Sequence, residues 1–157
     1  MYKKVLVPLD GSELAECSLP HVKNLAKDGS VGEVILLNVI TLALPLMEIN
    51  LDDSAMGNIF DFTAFRNQQR EKSQKYLAGI QSRLSADGIK IKTESLEADT
   101  PVHAIVDYAL KNSADLIVIA THGYTGMKKM LFGSTAFGVL HESHVPVLLI
   151  RPESCRG

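Results

Sequence analysis

Five short apolar runs punctuate the chain, and between them the apolar positions recur about every 3.6 residues. The runs predict strands. The first begins with Val5-Leu6-Val7, after two lysines, and the second spans Glu33 to Ile40. The third, Ile89-Lys90-Ile91-Lys92-Thr93, alternates apolar and polar residues. The fourth, Asp115 to Ala120, and the fifth, Val145 to Ile150, are nearly all apolar. Continuous β-branched runs belong to strands covered on both faces, as in a parallel sheet, whereas the alternation of the third marks an edge strand. Between Glu13 and Lys27 the residues Leu14, Ala15, Leu19, Val22, Leu25 and Ala26 keep a helical period, with Asp28-Gly29 as a stop. Pro20 predicts a kink there, because it has no N–H and crowds the preceding turn. A second helix is predicted from about Ala64 to Ala86, on Phe65, Tyr76, Leu77, Ile80 and Leu84, ending at Gly88. A third runs from Pro101 to Asn112, with proline suited to its first turn. A fourth starts near Ser134 and carries Phe137, Val139 and Leu140. Strands alternating with helices predict a doubly wound α/β sheet with helices on both faces.

The chain of 157 residues reads as a single domain, 1–157, without internal repeats. One segment departs from this regularity. From Thr41 to Asp61 no element is legible, yet Leu42, Leu44, Leu46, Met47, Ile49, Leu51, Met56, Ile59 and Phe60 make it apolar. Such an insertion packs on something, either its own fold or a second subunit.

Composition narrows the function classes. Hydrophobic residues at 46% and charged residues at 22% exclude a disordered chain. Sixteen Lys plus Arg against 18 Asp plus Glu give a net charge of -2, with no basic face or stripe, so no nucleic-acid partner is expected. No apolar run approaches the length that spans a bilayer, and Lys3, Lys4, Pro8 and Asp10 interrupt any secretory-type leader. The expectation is a cytoplasmic protein without a membrane partner. Cys17 and Cys155 have no metal-ligand spacing and read as a buried thiol and a tail thiol.

Ligands of open α/β sheets collect beyond the carboxyl ends of the strands. Two such ends are chemically unusual here: Pro8-Leu9-Asp10-Gly11-Ser12, and Ala120-Thr121-His122-Gly123-Tyr124-Thr125-Gly126 with Gly133-Ser134-Thr135 beyond it. Gly123 and Gly126 let another group approach the backbone, and Gly133-Ser134-Thr135 opens a helix whose N–H groups and dipole favour an anion. The plain alternative is a glycine turn followed by an ordinary serine cap. No GxGxxG follows the first strand and no GxxxxGK[ST] occurs, which disfavours a dinucleotide site and the common phosphate loop.

Ala120 and Gly123, then nine residues, then Gly133-Ser134 resemble the nucleotide signature of the universal stress protein family. Lys4 to Ser12, Leu37-Asn38-Val39 and Val145 to Arg151 are similar to its first, second and last strands, so the resemblance covers nearly the whole chain outside 41–61. It implies a five-stranded parallel sheet of the adenine nucleotide alpha hydrolase-like kind, with ATP across the ends of the first and fourth strands. By position, Asp10 would meet the adenosine between the walls Pro8 and Leu9, and Val39 would offer backbone groups to the adenine. Ala120 and Gly123 would admit the ribose and phosphates, and Gly133, Ser134 and Thr135 would hold the phosphates. Mg²⁺ would accompany ATP, ligated by phosphate oxygens and water with the Ser134 hydroxyl. A homodimer would pair Val145 to Ile150 between subunits. Ala120 departs from the signature, whose first position is glycine, and adds a methyl group beside the ribose.

No convincing catalytic residue is legible. His122, Lys128 and Lys129 read as exposed loop residues, and His103 as structural or exposed. His141 and His144 have a metal-compatible spacing but no third ligand. Asp10 and Asp99 lack the lysine a phosphate-accepting receiver domain needs, since Arg151 stands after the last strand. The expected function is therefore an ATP-binding regulatory module of the stress response that acts on an unidentified protein partner. A slow ATPase or phosphotransfer enzyme and a nucleotide-free dimeric scaffold are the alternatives.

Overall fold

A computed structural model describes residues 1–42, 61–121 and 134–151. Strands β1 (Tyr2–Pro8), β2 (Val31–Ile40), β3 (Ile91–Glu97), β4 (Leu116–Ala120) and β5 (Val147–Ile150) alternate with helices. These are α1 (Glu13–Glu16), α2 (Leu19–Lys27), α3 (Phe62–Ser85), α4 (Pro101–Lys111) and α5 (Ser134–Glu142). Among the described residues the five strands form one parallel sheet in the order β3-β2-β1-β4-β5.

The apolar runs explain the layering. In β1 and β2 successive side chains go to opposite faces, so runs such as Val5-Leu6-Val7 and Val34-Ile35-Leu36-Leu37 feed two cores at once, and all seven are at most 1% exposed. Val5, Val7, Val34, Leu36 and Val118 pack under α2 and α3, against Leu19, Val22, Leu77, Ile80 and Leu84. Leu6, Ile35, Leu37, Ile117 and Ile119 pack under α4 and α5, against Ile105, Tyr108, Ala136 and Val139. Each fully buried aliphatic side chain contributes about 1.5–3 kcal/mol relative to an exposed one, so the two faces supply most of the driving force.

Three expectations are corrected. The stretch Glu13–Lys27 is not one helix kinked at Pro20. It breaks upstream, at Cys17 and Ser18, into α1 and α2. Ser18 Oγ donates to Ala15 C=O at 2.8 Å, and Pro20 takes the second position of α2, where a backbone N–H has no intrahelical partner to lose. The third strand lies two residues later than the alternation suggests. Gly88, at φ +77°, ends the preceding turn, and pairing with β2 begins at Val34–Ile91. That strand is at the edge, as its polar alternation implies. Cys17 is buried, but it is disulfide-bonded rather than a thiol. Most of the Thr41 to Asp61 insertion, residues 43–60, lies outside the described residues.

Candidate functional site

The chain runs outward from β1 through β2 to β3, then returns to β4 on the other side of β1 and proceeds to β5. β1 and β4 are therefore neighbours whose connections leave in opposite directions, which opens a crevice at their carboxyl ends. Their ladder registers Val5 with Leu116 and Leu6 with Ile117, and Pro8, which has no N–H, cannot donate to extend it. At the amino end the Asp115 carboxylate accepts from the Lys3 and Lys4 amides at 2.7 and 3.1 Å.

Pro8, Leu9, Asp10, Val39, Ala120 and Thr135 line this crevice together. Thus six of the nine predicted site residues converge on one place. Ser134 begins α5 there and is exposed, while Gly123 and Gly133 lie outside the described residues, as do His122, Gly126, Lys128 and Lys129. Leu37, Pro101, Ile105 and Ala136 also line the crevice and were not singled out from the sequence. Pro101 could have been: a proline opening a helix just after the third strand must sit at the same end of the sheet as the other strand ends.

Local chemistry shapes each wall. Gly11, at φ +88°, turns the chain out of the sheet after β1. Asp10 Oδ1 accepts from Ser12 N–H at 2.9 Å and from Ser12 Oγ–H at 2.6 Å, and Ser12 Oγ accepts from Ala15 N–H at 3.2 Å, capping α1. The β1–β2 ladder extends to Leu9 N–H, which donates to Leu37 C=O at 2.8 Å. In a parallel ladder the N–H and C=O of one residue face the same neighbour, and those of the next residue face the other. With Leu37 facing β1, Val39 faces it too, at a level that β1 has already left. Among the described residues a donor and an acceptor thus stand open at the crevice. On the far wall, the first N–H groups of α5 have no intrahelical partners, so this nine-residue helix presents positive potential beside Thr135 and Ala136. An apolar slot with a backbone donor–acceptor pair on one side and a helix start on the other fits a flat base joined to an anionic group.

A second, more polar cavity lies on the α3 side of Asp10 and Val39, lined also by Asn38, Lys72, Ser73 and Tyr76. The Tyr76 hydroxyl is buried without a hydrogen-bond partner among the described residues. Burial raises its pKa above the usual phenol range, and the Glu16 and Asp10 carboxylates act in the same direction. Among the described residues no group of three His, Cys, Asp or Glu could hold a metal ion. His103 instead lies 3.3 Å from the Glu142 carboxylate, linking α4 to α5. No helix of the described residues is long and apolar enough to cross a membrane.

Comparison with known proteins agrees with this fold. The model of the universal stress protein family matches residues 1–151. Universal stress protein MJ0531 of Methanocaldococcus jannaschii is 32% identical over 151 residues, which are 96% of this chain and 83% of that protein. The solved structure of MJ0577, from the same organism, is 34% identical with a TM-score of 0.75 and 96% of each chain covered. A more distant structure of the same fold, a universal stress protein in complex with cAMP, is 20% identical with a TM-score of 0.68, covering 96% and 98% of the two chains.

Proposed function

This chain belongs to the universal stress protein family, and on that premise we propose that it binds ATP at the β1–β4 crevice and works as a nucleotide-dependent regulatory module of the stress response. The observation that carries the reading is the convergence of the Pro8–Asp10 wall, the open backbone edge of Val39 and the start of α5 on one crevice. Pro8 and Leu9 wall the base, Val39 meets its polar edge, and Asp10 addresses the ribose. Ala120 and Gly123 allow close approach, while Gly133, Ser134 and Thr135 hold the phosphates. The cAMP complex of a protein with this fold supports an adenine nucleotide as the ligand class. Mg²⁺ would neutralise phosphate charge when bound, with the Ser134 hydroxyl as the protein's contribution to its shell.

We assign no catalytic residue, and place the protein in the cytoplasm as a homodimer joined through Val145 to Ile150. β5 ends the sheet, and Leu148 on it and Phe137 and Leu140 on α5 are 37%, 37% and 45% exposed, which supports an interface on that side. The module acts on a protein partner that its own nucleotide state selects.

Mass spectrometry of the supernatant from denatured, purified protein tests the ligand: an adenine nucleotide should be released, and ATP should titrate calorimetrically. Neither signal would leave a nucleotide-free scaffold as the better reading. Gly133→Val should abolish binding without unfolding the protein, and unchanged affinity would remove the phosphate assignment. Turnover that survives purification and vanishes in His122→Ala would make the protein an enzyme.

A further inference from the structure

Leu9 C=O should accept the next rung of the β1–β2 ladder, from Val39 N–H. It accepts instead from the side chain of Asn38, whose Nδ2 lies 2.7 Å away. Asn38 Oδ1 in turn accepts from Ser73 Oγ at 2.7 Å, and Ser73 Oγ is 2.7 Å from Ser95 Oγ. The orientation of this chain is fixed by chemistry. A carbonyl can only accept, so the amide nitrogen must face Leu9. Its oxygen then faces Ser73, which spends its one proton there and takes the proton of Ser95. Ser73 is 5% exposed and sits on α3, so the clasp is anchored in the core between three elements.

We infer that Asn38 is a positioning residue: its amide, anchored on Ser73, holds the Leu9 carbonyl turned towards itself and out of line for the last ladder rung, which leaves the Val39 N–H and C=O available to a base. The role rests on the proposed nucleotide reading for its purpose, but not for its geometry. Val39 lines both cavities that meet at this level, and among the described residues no backbone group claims its N–H. Without the Asn38 amide, Leu9 C=O loses that partner, and Val39 N–H is the next donor in the register of the ladder, so the missing rung closes at the expense of the site. An adjacent donor and acceptor match the N1 and amino edge of adenine, whereas guanine presents the reverse order. Asn38 therefore also governs the choice of base.

The test uses the whole chain with Asn38→Leu, Asn38→His and Ser73→Ala. In nucleotide-free protein, the Val39 amide should exchange with solvent much faster than those of Val34 to Leu37. Asn38→Leu should slow it at least tenfold, Ser73→Ala should slow it less, and Asn38→His, which can donate to Leu9 and accept from Ser73, should restore the original rate. Equal exchange in all four proteins would overturn the proposal. With nucleotide, Asn38→Leu should weaken ATP about tenfold while leaving GTP nearly unchanged, so that base preference falls. An equal loss for both nucleotides would mean a merely structural role and also overturn it. Should Asn38→Leu fail to fold, Ser73→Ala decides by the same two measurements. If the original protein binds no ATP, the functional reading fails, and the exchange rates still decide the role of Asn38 in the ladder.

Discussion

Asp10 combines two tasks that single substitutions can separate. Its Oδ1 closes the turn onto Ser12, while the residue as a whole lines the crevice. Asparagine keeps an Oδ1 acceptor and discards the charge. Asp10→Asn should leave the thermal midpoint almost unchanged yet weaken ATP, whereas Asp10→Ala should weaken ATP and also cost about 1 kcal/mol of stability through the lost turn and cap support, read from urea unfolding. Tyr76 gives a pH signature. Its folded pKa is raised above the unfolded value, so its contribution to stability is complete below about pH 10 and is lost as the pH rises beyond that. Urea midpoints should therefore fall as the pH rises above about 10, and Tyr76→Phe should flatten part of that fall. At this scale Pro8, Leu9, Asp10 and Ala120 were legible as crevice residues because they stand at the carboxyl ends of two adjacent strands. Leu37 and Ile105 were not, since an apolar residue in a strand or helix reads the same whether it faces a core or a crevice. The Asn38–Ser73–Ser95 clasp was hidden for another reason: its members are 35 and 22 residues apart, and only the fold brings them together.

Elements meet through a few specific devices. Arg66 and Arg70, one turn apart on α3, both pair with Glu97 at the end of β3, and these guanidinium groups lower the Glu97 pKa. α4 and α5 approach closely because residue 138 is glycine. A Cβ there would lie 2.7 Å from Val102 Cγ2, on a side chain too stiff to move far. Gly138→Ala should therefore destabilise the protein by about 1 kcal/mol, overpacking outweighing the better helix propensity, and Val102→Ala should reverse the loss in the double mutant. Thermal unfolding of the four proteins measures that coupling. The number and kind of elements were legible, and their limits less so. The break between α1 and α2 depends on a side chain, Ser18, that competes for a helical carbonyl, which periodicity does not register. The late start of β3 depends on where β2 offers a partner.

For the molecule as a whole, alternation of strands and helices predicts the layers, but the order β3-β2-β1-β4-β5 follows from long-range pairing that periodicity does not register. The edge at β5 leads to one further prediction. Leu148→Arg places a charge on the proposed interface, so light scattering should show a monomer that still binds ATP. A dimer unchanged by it would move the interface elsewhere. The junction of β1 with β4 has a mechanical consequence. At the amino end the Asp115 carboxylate and N–H tie a leaf made of β3-β2-β1 to a leaf made of β4-β5. A molecule wedged in the crevice touches Leu9 and Val39 on the first leaf and Ala120 and Thr135 on the second. On the proposed reading, a bound nucleotide would tie the two leaves together at this end as well. The outer rim of the second leaf is β5, so the proposed ligand and the proposed subunit edge would share one leaf of the sheet.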